Sequence, residues 1–182
     1  MRRDFWRTVQ ARTARAAIGA SALRRQGARG AVAAARDFLA SLDLHRFGVA
    51  NPRVFRARLN GATSRLQRRM PRGARGWGTA RKALNIFLRD ALYCTYLRDR
   101  FRLDRAEALL ELPLDSITAR QLRRRAGGGR LPRWPGVIKL DRKTSRLYQR
   151  QATKTAAKMR IERVHLDAYW WGDRTLNEGR GD

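Results

Sequence analysis

Apolar residues along the chain recur at intervals of three and four, and the strict alternation of a half-buried strand is nearly absent. Breakers fall between stretches of helical length. This pattern predicts an all-α fold, a single compact helical domain over residues 1–182, with helices at about 4–24 and 29–42. A third helix begins at the Asn51-Pro52 pair, with proline at the first helical position, and runs to about residue 70. "PRGARGWG" then reads as a Gly-rich turn. The next helix, at about 79–100, contains "ALNIFLRDALYCTYL" and is apolar on most faces at its centre, so it should lie buried in the middle of the domain. Shorter helices at 104–110 and 115–125 lie on either side of "ELPLDS". "AGGGRLPRWPG" reads as a flexible loop. Asp141 caps a long basic helix to about residue 160, and a last helix at about 163–172 carries "VHLDAYWW".

Charge changes the picture from a helical domain to a polyanion-binding one. With 42 Lys and Arg against 15 Asp and Glu, the formal net charge is +27, which favours nucleic acid or an anionic surface as partner. The 43% of hydrophobic residues is too many for a disordered basic tail. No apolar run approaches the ~18 residues needed to cross a bilayer. The Arg-rich, acid-poor first 40 residues have the composition of a transit peptide, but the same Arg/Ala bias runs through the whole chain, so the segment is kept in the fold. Cys94 is the one cysteine, which leaves no internal disulfide, Cys-rich zinc site or four-cysteine cluster. It reads as a small buried hydrophobe. His45 and His165 have no second ligand at metal-binding spacing and read as structural or phosphate-adjacent.

Only five of the 42 cationic residues are lysines. One of them, Lys82, follows the Gly-x-Gly of "GWGTARKALN". Glycines let a backbone approach a phosphate closely, and free N–H groups at a helix start bind the anion. A lysine in the first helical turn, near the positive end of the macrodipole and among arginines, is disfavoured as an ammonium. A neutral amine can attack a sugar C1′ or a carbonyl and form a Schiff base, which an arginine, always protonated, cannot do. In "LPLDSITARQL", Asp115 follows a Pro-Leu pair and caps a helix start.

"GWGTARKALNIFLRDALY" followed by "LPLDSITARQL" resembles the helix-hairpin-helix DNA glycosylases with a catalytic lysine, and is similar to their archaeal 8-oxoguanine DNA glycosylase branch. The resemblance implies a helix-hairpin-helix DNA-binding element at about 52–100, with Gly76, Trp77, Gly78 and Thr79 at the DNA. It implies Lys82 as nucleophile and Asp115 as the catalytic carboxylate, at a separation that suits the longer insertion of the archaeal branch. "VHLDAYWW" resembles that branch's terminal helix. It implies that Asp167 hydrogen-bonds the extruded base and that Trp171, one turn later, packs on it. Arg89 corresponds to a basic residue facing the base pocket. The resemblance covers roughly residues 70–172, and residues 1–50 carry no motif of the family.

The expected function is therefore a DNA glycosylase with AP lyase activity, needing no cofactor and no metal. It would act as a monomer on double-stranded DNA with a damaged or modified base, away from membranes, in a bacterial cytoplasm near the nucleoid. An 8-oxoguanine-type lesion follows from the nearest resemblance. The same chemistry directed at a modified phage base, such as glucosylated cytosine, would make it a defence enzyme. A different class, a non-enzymatic basic RNA- or DNA-binding protein, requires no imine at Lys82. Flipping a base also calls for aromatic groups, for which Trp77, Trp134, Trp170 and Trp171 are candidates, at least two of them expected in the core.

Overall fold

A computed structural model of the protein describes residues 2–19, 22–23, 29–127 and 129–170. Among these, the regular structure is helical throughout, with no strand. The helices are α1 (Arg2–Ala17), α2 (Ala31–Ala40), α3 (Pro52–Arg69), α4 (Trp77–Tyr93), α5 (Thr95–Phe101), α6 (Ser116–Ala126) and α7 (Arg142–Lys158). A last short helix, α8, spans 166–170. Among the described residues no helix is long and apolar enough to cross a membrane.

Helix starts follow local chemistry. Asn51 Oδ1 accepts from Arg53 N and Val54 N at 3.0 and 3.1 Å, and Pro52 opens α3, where its missing N–H costs nothing. Asp141 Oδ1 accepts from Thr144 N at 2.6 Å and starts α7. Three expected helices differ from the structure. The stretch 79–100 is not continuous: Cys94 takes an extended ψ of 103° between α4 and α5 and is half-buried there. "YCTY" is a run of residues with poor helix propensity, so the ladder breaks where it is intrinsically weakest. At 103–109 the chain forms a 3-10 turn, entered through Arg102 in the left-handed region (φ 53°). The first helix also stops earlier than expected, at Ala17, just before Gly19.

Among the described residues, two apolar clusters form the core. The first joins α1 to α5 around Phe47, Phe87, Leu59, Leu66, Leu84 and Leu88. The second joins the segment from Leu112 through α6 and α7 to α8, around Tyr148, Leu122 and Trp170. α4 runs centrally, as its apolar pattern predicts, and every residue from Gly78 to Leu88 is buried. Side-chain amides close polar gaps between elements. Gln10 of α1 donates to the carbonyls of Leu39 and Leu42 at the end of α2, at 2.9 and 2.8 Å. Within the loop expected to be flexible, Pro132 and Trp134 are held by α7: Tyr148 Oη donates to Pro132 O at 2.7 Å, and the Trp134 ring meets Tyr148 edge-on.

The Gly-x-Gly stretch packs inward. Gly76 caps α4 and Gly78 lies in its first turn, neither with positive φ. A Cβ on Gly78 would stand 2.1 Å from Val137 O and 2.6 Å from Leu140 Cβ, and one on Gly76 would stand 2.9 Å from Ile138 O. The close approach these glycines permit is thus to the protein's own 137–140 backbone. Gly78→Ala should cost about 1–3 kcal/mol or more through overpacking against backbone that cannot rotate away. Urea denaturation measures this, and a variant of unchanged stability would show that the 137–140 segment yields freely.

Candidate functional site

Lys82, Ile86, Arg89 and Tyr93 recur at steps of four, three and four along α4, and so share one helix face. All four line a cleft of about 350 Å³, near the lower end of the roughly 300–1,000 Å³ typical of ligand sites. Ala17 of α1 and Ala22 border it, the turn before α6 brings Pro113 and Asp115, and α8 brings Asp167 and Ala168. Ala17 and Ile86 belong to the first apolar cluster, and Pro113, Asp115, Asp167 and Ala168 come from the segments that carry the second, so the cleft lies where the two meet.

Lys82 is the sixth residue of α4, one turn further in than the sequence suggested, and only 8% exposed. At that depth the helix dipole has little hold on it. Burial is what lowers the ammonium below its ordinary value, while the carboxylates of Asp115 and then Asp167 pull the other way. Lys82 Nζ lies 3.9 Å from Asp115 Oδ2. The expected crowding by arginines is absent at its neighbour, because Arg81 turns aside. Its Nη1 donates to Thr63 Oγ1 at 2.8 Å, its Nη2 to Asn60 Oδ1, and its Nε lies 3.3 Å from Glu111 Oε2.

Asp115 divides its two oxygens between fold and site. Oδ1 accepts from Ile117 N and Thr118 N, both at 2.9 Å, and Thr118 Oγ1 accepts from Asp115 N at 2.8 Å, a capping box in which Thr118 takes the reciprocal position. Oδ2 faces Lys82. The segment leading to Asp115 is held from two sides. Gln149 of α7 exchanges two hydrogen bonds with the Leu112 backbone, at 3.0 and 2.7 Å. Arg163 donates to Leu110 O and Leu109 O at 2.8 and 2.7 Å.

Asp167 is 4% exposed and is ion-paired with Arg89 Nη1. Arg89 also holds Asp90 Oδ1 through Nη2 and Nε, at 2.7 and 2.8 Å. Burial outweighs the attraction of Arg89, and the Asp167 carboxyl is pushed from 3.8 up to about 6. The cleft therefore gathers a buried amine with a lowered pKa, a carboxylate fixed beside it, and a second carboxyl able to carry a proton near neutrality.

Lys82, Asp115, Asp167 and Arg89, expected from the sequence to act together, do line one cleft. Gly76, Trp77, Gly78 and Thr79 lie apart from it: Gly78 and Thr79 are buried, and Trp77 packs against the second cluster with Arg81 over its ring. Trp134 and Trp170 also pack there, and Trp171 lies outside the described residues. Sequence reasoning missed Ile86 and Tyr93, although their spacing from Lys82 was readable. It also missed Ala17, for which the first 50 residues gave no sign, and the pairing of His165 with Tyr93 and Glu107. No family model, curated protein or solved structure matches the chain, so the chemistry of the cleft has to be read from its own residues.

The raised pKa of Asp167 has a consequence for stability. Between pH 3.8 and about 6 the folded protein binds this proton more tightly than the unfolded chain. Its contribution is complete below 3.8 and is lost as pH rises through 6, a difference of about 3 kcal/mol at 1.36 kcal/mol per pH unit. Asp167→Asn, neutral at every pH, should lack this loss and gain on the native protein by up to ~3 kcal/mol between pH 4 and pH 8. Parallel stability profiles from urea denaturation would show that Asp167 does not titrate this way.

Proposed function

We propose that the protein is a DNA glycosylase with AP lyase activity of the helix-hairpin-helix type. The observation that carries this reading is the buried amine of Lys82, 3.9 Å from the helix-capping Asp115, in a cleft that also holds Asp167 and Arg89. The neutral Nζ lone pair attacks C1′ of the extruded nucleotide, and the C1′–N bond to the base breaks with its electron pair leaving on the base, which then takes up a proton. The secondary amine formed at C1′ opens the sugar ring to an imine. Loss of a C2′ proton then breaks the C3′–O bond and nicks the strand. A carboxylate beside the amine stabilises positive charge developing at C1′ and accepts the proton the attacking amine sheds. Asp167, oriented by Arg89, is proposed to bond the base edge. Trp171 is proposed as the packing surface, and the basic turn between α3 and α4, with exposed Arg72 and Arg75, as a contact to phosphates.

For the base, the resemblance favours an 8-oxoguanine-type lesion. One observation favours a base with a polar substituent, such as a glucosylated cytosine of phage DNA. Beyond Lys82 the α4 face of the cleft continues through Arg89 and Asp90 to Tyr93, about three helical turns lined with hydrogen-bonding groups that a polar substituent could meet.

Single-turnover assays on duplexes carrying 8-oxoguanine, glucosylated hydroxymethylcytosine or a pre-formed abasic site test the reading. Lys82→Gln should lose at least about a thousandfold in base excision and in abasic-site nicking. DNA affinity should change little, because this amine is buried in the cleft and the large net positive charge that attracts phosphates remains. Full excision by this variant overturns the mechanism.

A further inference from the structure

The far end of the cleft has a hydrogen-bond chain that the reaction above does not use. Tyr93, the last residue of α4, lines the cleft. Its hydroxyl lies 2.9 Å from His165 Nδ1, and His165 Nε2 lies 2.7 Å from Glu107 Oε1. The Tyr93 and His165 rings are within 12° of parallel, with centroids 5.6 Å apart. The chain is held at its base: Arg163, two residues before His165, donates to the carbonyls of Leu109 and Leu110, just beyond Glu107. The 3-10 turns at Leu103–Leu109 and Arg163–His165 are thereby clamped together.

We propose that Tyr93 is a specificity-determining residue of the cleft, presenting its phenol oxygen as a fixed hydrogen-bond acceptor to an N–H or O–H of the bound base, with His165 and Glu107 as positioning residues that hold the phenol proton. This rests on the glycosylase reading for the nature of the ligand.

The direction of the chain follows from what each group can do. An ionised carboxylate can only accept, so Glu107 fixes the ring proton of His165 on Nε2. In the neutral ring the lone pair on Nδ1 then accepts from Tyr93, and the single phenol proton is committed away from the cleft. The lone pairs left on the phenol oxygen are then what Tyr93 offers to a ligand in the cleft. The phenol keeps its proton readily, since burial pushes its pKa above the ordinary value, as do Asp167, Asp90 and Glu107 against the opposing pull of Arg89. An acceptor held this way rejects a base that offers only an acceptor at the same place, because two facing lone pairs leave both groups unpaired.

The chain has two histidines, His45 and His165, so the side-chain tautomer can be read from long-range proton–nitrogen NMR spectra of histidine-labelled full-length protein at pH 7.5, with His165→Gln to assign the signal. A neutral Nε2–H ring is expected for His165. A protonated ring, or one with its proton on Nδ1, would make the phenol a donor and overturn the proposal. In single-turnover assays with 8-oxoguanine and glucosylated hydroxymethylcytosine duplexes, Tyr93→Phe should lower the ratio of base excision to abasic-site nicking by about tenfold. Glu107→Gln should lower it less, in the same direction. An unaltered ratio in Tyr93→Phe overturns the proposal while leaving Lys82 as nucleophile. If the native protein cuts none of these duplexes, the glycosylase reading fails, and the tautomer decides by itself whether Tyr93 presents an acceptor.

Discussion

The site depends on one costly placement, a lysine amine buried in the second turn of the molecule's central helix. Taking an ammonium out of water is expensive, and the protein offsets part of the cost with the Asp115 carboxylate 3.9 Å away, leaving the charged form disfavoured. An arginine at position 82 could not yield a neutral nucleophile. Arg81 shows the alternative use of a buried cation: it is bonded to Thr63 and Asn60 beside Glu111, and so fixes α3 against α4.

Much of the surrounding architecture can be understood as holding that pair together across a seam. Lys82 belongs to the first apolar cluster's helix, whereas Asp115 and Asp167 arrive with the second. The capping box fixes Asp115 relative to α6, Gln149 fixes the preceding backbone relative to α7, and Arg163 ties that backbone to the turn before α8. Glycines at 76 and 78 let the 137–140 segment press against the start of α4. The ion pair of Arg89 with Asp167 then bridges α4 and α8 across the cleft.

What the sequence disclosed follows from how local the determining physics is. The starts of α3, α6 and α7 were legible because Asn51, Asp115 and Asp141 bond amides two or three residues away. Burial of α4 was legible because its apolar residues cover most faces. The break at Cys94 was not, because "YCTY" lacks glycine and proline and only weak propensities mark it. Gly76 and Gly78 signalled that a Cβ is excluded, but a sequence cannot say what excludes it, and here the neighbour is the chain's own backbone. The candidate site residues were chosen through the order of three motifs, and the structure brings Lys82, Asp115, Arg89 and Asp167 to one cleft. The roles of Ala17 and of the Tyr93–His165–Glu107 chain depend on contacts between distant segments, which no local pattern encodes.

The central claim is that the buried amine of Lys82 forms a bond to the sugar. Its most direct test is borohydride reduction of the protein mixed with abasic-site duplex, followed by protease digestion and mass spectrometry of the adduct. The account predicts one reduced cross-link, on the peptide containing Lys82, formed more readily as pH rises and a larger share of the buried amine is neutral. A cross-link on any of the other four lysines, or none under conditions where the strand is cut, would contradict it.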